Sequence, residues 1–289
     1  MIKITNTIKT LIIEFIAGHG SGHIREIHLN VTEIRPDIPQ HTIRARLSEM
    51  SRSNTLEEKI QAFGDGFYGL YSDNKYMTSV VSYPDRGPWG NARYRGNCSG
   101  HLVKDLILRF NCQSVFDPAE GGKTVRDVVT GINKFRRRNI YYEGRDLAHD
   151  WDIVTGLMPE KQFDMVWFHP PYWDIIKYSD NPSDLSNCKT LDEFEQKLNR
   201  SVERLLDVVN PGGIIAILIG DKRKSGKYFA LIRTLLVNSN IGQLKSIIIK
   251  LQHNCQSDNK CYSHNPFLIP IKHEYCLIYQ KSQHDCSIP

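Results

Sequence analysis

Between residues 8 and 16 apolar side chains recur at Ile8, Leu11, Ile12, Phe15 and Ile16. That spacing lines one face of a helix, and Gly18 and Gly20 are its stop signals. SGHIREIHLNV predicts a second short helix with Ser21 as its N-cap. After the turn RPDIP, the segment PQHTIRARLSEMSRSN puts Ile43, Leu47 and Met50 on one stripe and sends its arginines elsewhere. AFGDGFYGLYS then sets Gly-Asp-Gly between aromatic runs, a hairpin signal.

From residue 101 the rhythm changes to alternating strands and helices. HLVKDLILRF reads as a helix, and QSVFDPAEGG as a strand ending in a glycine turn. KTVRDVVTGINKF has Val125, Val128, Val129 and Ile132 on one helical face. NIYYEGRDL and FDMVWFHPPY read as strands. LDEFEQKLNRSVERLLDVV is a long amphipathic helix, ended by Asn210-Pro211-Gly212-Gly213. GIIAILIGD is a buried strand and YFALIRTLLVNS a helix; LKSIIIKLQ and HEYCLIYQ are late strands with no helix between them. Continuous apolar strands alternating with helices predict an α/β unit. Its sheet is mostly parallel and helix-covered, and the last two strands form an antiparallel edge.

Three short helices followed by a hairpin is the order of a winged helix-turn-helix. This predicts a small N-terminal unit over residues 1–75, with the third helix as recognition helix and the hairpin as wing. Residues 76–100, rich in Gly, Pro, Asn and Arg, read as a linker that becomes a structured loop. Residues 101–289 form the α/β domain. A helical cap for packing or dimerisation is the other reading of the first unit.

Charge separates these readings better than composition does. The chain of 289 residues is 40% apolar and 24% charged, as soluble globular proteins are, with a net charge of +5. Arg44, Arg46 and Arg52 fall together on the third helix, beside His41 and Thr42. These residue types contact phosphates and bases, so the predicted partner is DNA. Other basic groups lie at Arg86, Arg93 and Arg95, at Lys134 and Arg136–Arg138, and at Lys222-Arg223-Lys224 with Lys227. No apolar stretch approaches the ~20 residues of a membrane span. The amphipathic N-terminus lacks a signal-peptide cleavage site. Seven scattered cysteines indicate a reduced, cytoplasmic chain without a disulfide framework. His253, Cys255, Cys261 and His264 match no standard zinc spacing and lie in a polar stretch, so no metal is expected.

In open α/β sheets ligands bind beyond the carboxyl ends of the strands. Three features fall there. The first is Phe116-Asp117-Pro118-Ala119-Glu120-Gly121-Gly122-Lys123-Thr124. Its glycines admit a ligand close to the backbone, and its acids suit a ligand carrying an amino group. The P-loop spacing is absent. The second is Glu143-Gly144-Arg145-Asp146, where an acid can grip ribose hydroxyls. The third is the elbow His169-Pro170-Pro171-Tyr172. Its prolines have no N–H, so a paired strand stops there.

These residues resemble the class I S-adenosylmethionine-dependent DNA amino-methyltransferases, which methylate adenine N6 or cytosine N4. DPAEGGKT is similar to that family's DPFxGSGT cofactor loop, and HPPYW to its [DNS]PP[YFW] catalytic motif. RYRGNCSGHLVKDLI, with Asn97, is similar to its other cofactor-contacting segment, and NPGGIIAILIGD to the strand after the catalytic motif. The resemblance covers about residues 90–281 and implies a Rossmann-like class I methyltransferase sheet that binds S-adenosylmethionine. Asp117, Pro118, Glu120, Gly121, Gly122 and Thr124 would line the methionine part. Asp146, or less directly Glu143, would take the ribose, and Asp152 the adenine amino group. His169 and the Pro170 carbonyl would accept hydrogen bonds from the exocyclic amine, with Pro171 stiffening the elbow and Tyr172 stacking on a flipped base. Arg44, Arg46, Arg52, Lys222 and Arg223 would hold DNA.

The chain departs from that pattern twice. Lys123 stands where the family has glycine, and His169 where it has Asp, Asn or Ser. A neutral imidazole accepts one hydrogen bond and a protonated one accepts none, so activity is expected to fall as pH drops through the His169 pKa. Adenine is favoured over cytosine. No long recognition insertion follows the catalytic domain, which leaves target choice to the N-terminal unit or to a restriction or specificity partner subunit. The alternatives are methylation of RNA or of a protein glutamine, and a DNA-binding regulator whose methyltransferase fold has lost catalysis.

Overall fold

The computed structural model describes residues 7–19, 21–52, 60–64, 66–70, 77–136, 138–253 and 265–283. Asp65 of the predicted hairpin, Arg137, and Cys255, Cys261 and His264 lie outside them. The described chain divides into two compact units. One comprises the residues before 77 together with Thr130–Arg138, the other Met77–Val129 and the residues from Asn139 onward.

In the first unit α1 (Ile8–His19), β1 (Ser21–His23), α2 (Ile24–Ile34), α3 (Gln40–Arg52), β2 (Ile60–Gly64) and β3 (Phe67–Leu70) follow in order. The apolar stripes meet in one core of Leu11, Ile12, Phe15, Ile16, Ile27, Val31, Ile43, Leu47, Met50 and Ile60. The strands form a small antiparallel sheet in the order β1-β3-β2. Ser21 is not the N-cap of α2. It lies in β1, and His23 caps instead: Nδ1 accepts from the Arg25 amide at 3.2 Å, and the His23 amide donates to Glu26 at 2.9 Å. A side chain three residues before Glu completes the reciprocal box, and Ser21 is too far upstream for it.

The second unit contains β4 (Val80–Ser82), α4 (Gly100–Arg109), β5 (Ser114–Asp117), the part of α5 (Thr124–Arg136) before Thr130, β6 (Tyr141–Gly144), β7 (Phe163–Phe168), α6 (Leu191–Asp207), β8 (Val209–Ile219), β9 (Lys222–Lys224), β10 (Lys227–Phe229), α7 (Ile232–Val237), β11 (Gln243–Leu251) and β12 (His273–Gln280). Seven strands make one sheet in the order β4-β11-β12-β8-β7-β5-β6. Strands β6, β5, β7 and β8 run parallel, and β12 pairs antiparallel with β8 and with β11. This is a Rossmann-like α/β sheet with the antiparallel side expected from the two late strands. Continuous burial of Ser114–Asp117 and of Met165–Phe168 explains their unbroken apolar character. Phe194, Leu198, Val202 and Leu205 of α6 join the core with Phe163, Val166, Ile215 and Ile217.

Three elements differ from expectation. Residues 80–82 of the presumed linker form β4, parallel to β11 at the outer edge. The Pro-Gly-Gly after α6 lies inside β8, and the helix ends at Asp207. The segment predicted as one helix splits into β10, which closes a hairpin on β9, and the shorter α7. Among the described residues no helix is long and apolar enough to cross a membrane.

Candidate active site

Strand β5 has β6 on one side and β7 on the other. The chain therefore reverses direction across the sheet at β5, and such a switch point opens a crevice at the strands' carboxyl ends. Asp117 pairs with Gly144 and Phe116 with Val166, so the loops after β5, β6 and β7 emerge side by side. A cavity of about 280 Å³ lies there. It is lined by the loop Asp117–Gly122 with Thr124, by Asp146 and Trp151 after β6, by His169 and Pro171 after β7, and by Tyr94, Asn97, Cys98, Tyr178 and Asp184.

Pro118 ends β5 because it has no amide to continue the ladder. The loop is then fastened to its neighbour: the Arg145 amide donates to the Asp117 carbonyl at 2.9 Å, and the Glu120 amide to the Arg145 carbonyl at 3.1 Å. Gly121 has φ +42, and a Cβ there would stand 2.9 Å from the Tyr94 ring, so the turn requires glycine. Thr124 donates through Oγ1 to Asn97 Oδ1, and Asn97 Nδ2 donates to the Asn91 carbonyl at 3.2 Å. Asn97 and Thr124 thus brace each other at the cavity wall.

Two carboxylates in this wall have no lysine or arginine paired with them among the described residues. Asp117 is buried and accepts one hydrogen bond, from the Ala119 amide at 3.1 Å. Burial pushes its carboxyl up to about 8; the Ala119 amide opposes this, and neighbouring Glu120 and Asp146 add to it. Asp146 accepts from the Gly121 amide through Oδ2 at 3.1 Å. Its buried Oδ1 has no hydrogen-bond partner, although His149 Nδ1 lies 2.9 Å away. Glu120, Asp146 and His149 bring one donor atom each within 4.8 Å of one another, a grouping of the kind that can hold a metal ion. Glu143 is paired with Arg145 at 2.6 Å, so of the two acids after β6 it is Asp146 that lines the cavity.

At the elbow, His169 and Pro171 line the cavity, whereas Pro170 is buried and is not part of the lining. His169 Nε2 lies 3.0 Å from Tyr172 Oη, which donates to Glu274 Oε1 at 2.9 Å. Glu274 Oε2 accepts from Lys250 Nζ at 2.7 Å. Burial first, then Lys250 and Arg86, lower the His169 pKa to about 4, against the attraction of Glu274. The imidazole is therefore neutral near neutral pH.

Several residues predicted for the site stand elsewhere. Tyr172 does not line the cavity; its ring lies on Gly220, where a Cβ would be 2.7 Å from Cε2. The aromatics that do line it are Tyr94, Tyr178, Trp151, Trp167 and Phe168, with Tyr94 and Tyr178 stacked at 5.9 Å. Asp152 is absent from the wall because its own loop uses both oxygens, bonding the Val154 amide at 2.8 Å and Thr155 Oγ1 at 2.7 Å. Trp173 is buried and donates to the Cys188 carbonyl at 2.9 Å, so it packs rather than lining the cavity. Lys123 has φ +64, the left-handed turn that favours glycine, and is not part of the wall.

The basic residues divide as well. Lys222 is 5% exposed, with its ammonium against Asp174 and 4.4 Å from the Trp173 ring centre, which removes it from any phosphate-facing surface. Arg223 donates to the Ile269 carbonyl at 3.2 Å and lies over Tyr228. On α3, Arg44 and Arg52 are exposed, and Arg46 is paired with Glu49.

Sequence reasoning singled out Tyr178 and Asp184 only as loop residues after the elbow, and missed Lys250, Glu274 and Tyr94. Lys250 and Glu274 looked like ordinary polar positions on late strands. Tyr94 lies in a segment without periodicity, which gives no sign of where its ring will point.

No protein-family model matches the chain, and no curated protein does. Solved structures do resemble it. A candidate DNA modification methylase of Thermus thermophilus, complexed with S-adenosyl-L-methionine, aligns at 21% identity and TM-score 0.34, over 48% of this chain and 56% of that one. The N-methyltransferase NodS of Bradyrhizobium japonicum aligns at 7% identity and TM-score 0.35, over 63% and 95%. A candidate class I S-adenosylmethionine-dependent methyltransferase of Listeria monocytogenes aligns at 15% identity and TM-score 0.35, over 66% and 61%. The chain spans about half the length of the Thermus protein.

Proposed function

We propose that this chain is an S-adenosylmethionine-dependent methyltransferase acting on the exocyclic amine of a base flipped out of DNA, with adenine N6 preferred over cytosine N4. One observation carries the reading: a cation-seeking carboxylate, Asp117, and the elbow residues His169 and Pro171 line one cavity.

The wall fits the cofactor on two counts. Asp117 is a buried acid without a cation, suited to the ammonium of the methionine part. Asp146 Oδ1 is a buried acceptor without a donor, suited to a ribose hydroxyl. Gly121, Gly122, Thr124 and Asn97 shape the wall between them. When bound, the cofactor supplies a sulfonium methyl group. The chain's own part is to grip the amine. An exocyclic amine is a poor nucleophile because its lone pair is delocalised into the ring. Neutral His169 accepts one of its hydrogens and the Pro170 carbonyl the other, which localises the lone pair on nitrogen. Positioning of this kind accounts for much of the acceleration such a site can provide.

The first unit supports DNA as substrate through its order of elements, that of a winged helix, and through exposed Arg44 and Arg52 on α3. A second reading, a DNA-binding regulator without catalysis, draws on Tyr172, which lies outside the cavity. Methyl transfer from labelled cofactor to DNA, followed by nucleoside mass spectrometry, separates the two. N6-methyladenine is expected; cofactor binding with no labelled nucleoside would select the regulator.

A further inference from the structure

Behind His169 runs a chain of three polar side chains contributed by distant parts of the sheet. Lys250 on β11 and Glu274 on β12 are direct partners in the antiparallel ladder, 2.7 Å apart. Glu274 then reaches Tyr172, and Tyr172 reaches His169. The direction of these hydrogen bonds can be worked out. Burial would raise the Glu274 carboxyl, but the Lys250 charge and the hydrogen bonds from Lys250 and Tyr172 oppose it, and the group is held below its ordinary value. An ionised carboxylate has no proton to donate, so the one hydroxyl proton of Tyr172 points to Glu274. Toward His169 the Tyr172 oxygen can then only accept, and Nε2 must carry the ring proton. A neutral imidazole protonated on Nε2 has its lone pair on Nδ1. Nδ1 has no hydrogen-bond partner among the described residues and is not among the buried unpaired atoms, so it is open to a donor.

We propose that Tyr172, Glu274 and Lys250 are positioning residues that fix His169 as the Nε2–H tautomer and so present Nδ1 as the acceptor for the substrate amine. The amine as substrate rests on the methyltransferase reading above; the tautomer does not. The chain also gives Tyr172 a role that its place on Gly220 allows, whereas stacking inside the cavity does not fit that place.

The test is nitrogen-15 NMR of the full chain labelled at histidine, near neutral pH, with the His169 signals assigned by their loss in His169→Asn. The wild type is expected to show a protonated Nε2 and an unprotonated Nδ1. The double variant Lys250→Met/Glu274→Met removes the ion pair while keeping its volume, a change that folded proteins often tolerate. The Tyr172 proton then has one acceptor left, His169 Nε2, and the ring should switch to Nδ1–H. Methyl transfer in this variant should fall at least about tenfold in kcat, with cofactor affinity unchanged, as expected for a wrongly set tautomer. Tyr172→Phe, the milder change, should leave both tautomers populated and give an intermediate loss. A wild-type ring protonated on Nδ1, a doubly protonated ring, or a double variant that keeps Nε2–H would overturn the proposal. If the tautomers behave as expected but no chain transfers methyl groups, the positioning chain stands and the functional reading falls.

Discussion

The Asp117 carboxylate, buried at the end of β5, accepts a single hydrogen bond, from the Ala119 amide at 3.1 Å. With its pKa pushed up to about 8, it is largely protonated at neutral pH. A ligand carrying an ammonium favours the ionised form, so binding should release a proton. Affinity should rise between about pH 6 and 7.5, by up to about tenfold per pH unit. Calorimetry in buffers of different ionisation enthalpy measures the released proton directly. Asp117→Asn should bind more weakly and lose the pH dependence. The stability contribution has the opposite slope: the folded chain holds a proton that the unfolded chain releases above about pH 4, so this group's contribution falls as pH rises toward 8.

His169 should be insensitive to pH over the usual assay range. Its pKa of about 4 keeps the ring neutral, so with saturating substrates this group should give a flat rate from about pH 5 to 8 and a fall toward pH 4. The sequence alone suggests a fall in the ordinary histidine range, and burial moves it down. The unfolded chain takes up this proton near pH 6.5. The group's stabilising contribution is therefore complete above that value and lost as pH falls toward 4. His169→Leu, which removes the acceptor, should lower kcat by about 100-fold; His169→Asn should retain most of it.

Lys222 and Arg44 should respond differently to truncation. Lys222→Met removes one of the two lysines paired with Asp174, and because Lys224 stays 2.5 Å from the carboxylate it should lower stability by only about 1 kcal/mol in denaturant titrations. Arg44 is exposed on α3. Arg44→Ala should leave stability unchanged and weaken DNA binding, with the salt dependence of log K reduced by about one unit of slope.

Lys123 adopts φ +64 between the cofactor loop and α5. A left-handed residue other than glycine carries about 1–2 kcal/mol of strain, partly offset by the greater freedom of glycine in the unfolded chain. Lys123→Gly should therefore raise stability by about 0.5–1 kcal/mol. Cofactor affinity should be unchanged, since Lys123 does not line the cavity. Thermal melts and titration calorimetry check both halves.

Much of the fold was legible in local sequence because its causes are local. Apolar stripes at Ile43, Leu47 and Met50 specify a helix face, and runs such as FDMVWF specify a buried strand. Pro118 and Pro170 end strands because they lack an N–H. Gly121 is needed where the chain turns against Tyr94. These features were sufficient to place Asp117, Asp146 and His169 at strand ends.

Long-range pairing was not legible. Period-two alternation gives a strand's two faces but not its neighbours or its register. Only register opposes Lys250 to Glu274, and only the order β8-β12-β11 brings that pair to an elbow about a hundred residues earlier in the chain. Charge patterning alone could not separate buried Lys222 from exposed Arg44, because burial depends on what packs over a residue. That a histidine closes β7 beside two prolines is a property of the local chain and was readable there. Which of its nitrogens holds the proton is a property of the folded sheet, because it depends on a tyrosine, a carboxylate and an ammonium that strand pairing brings together.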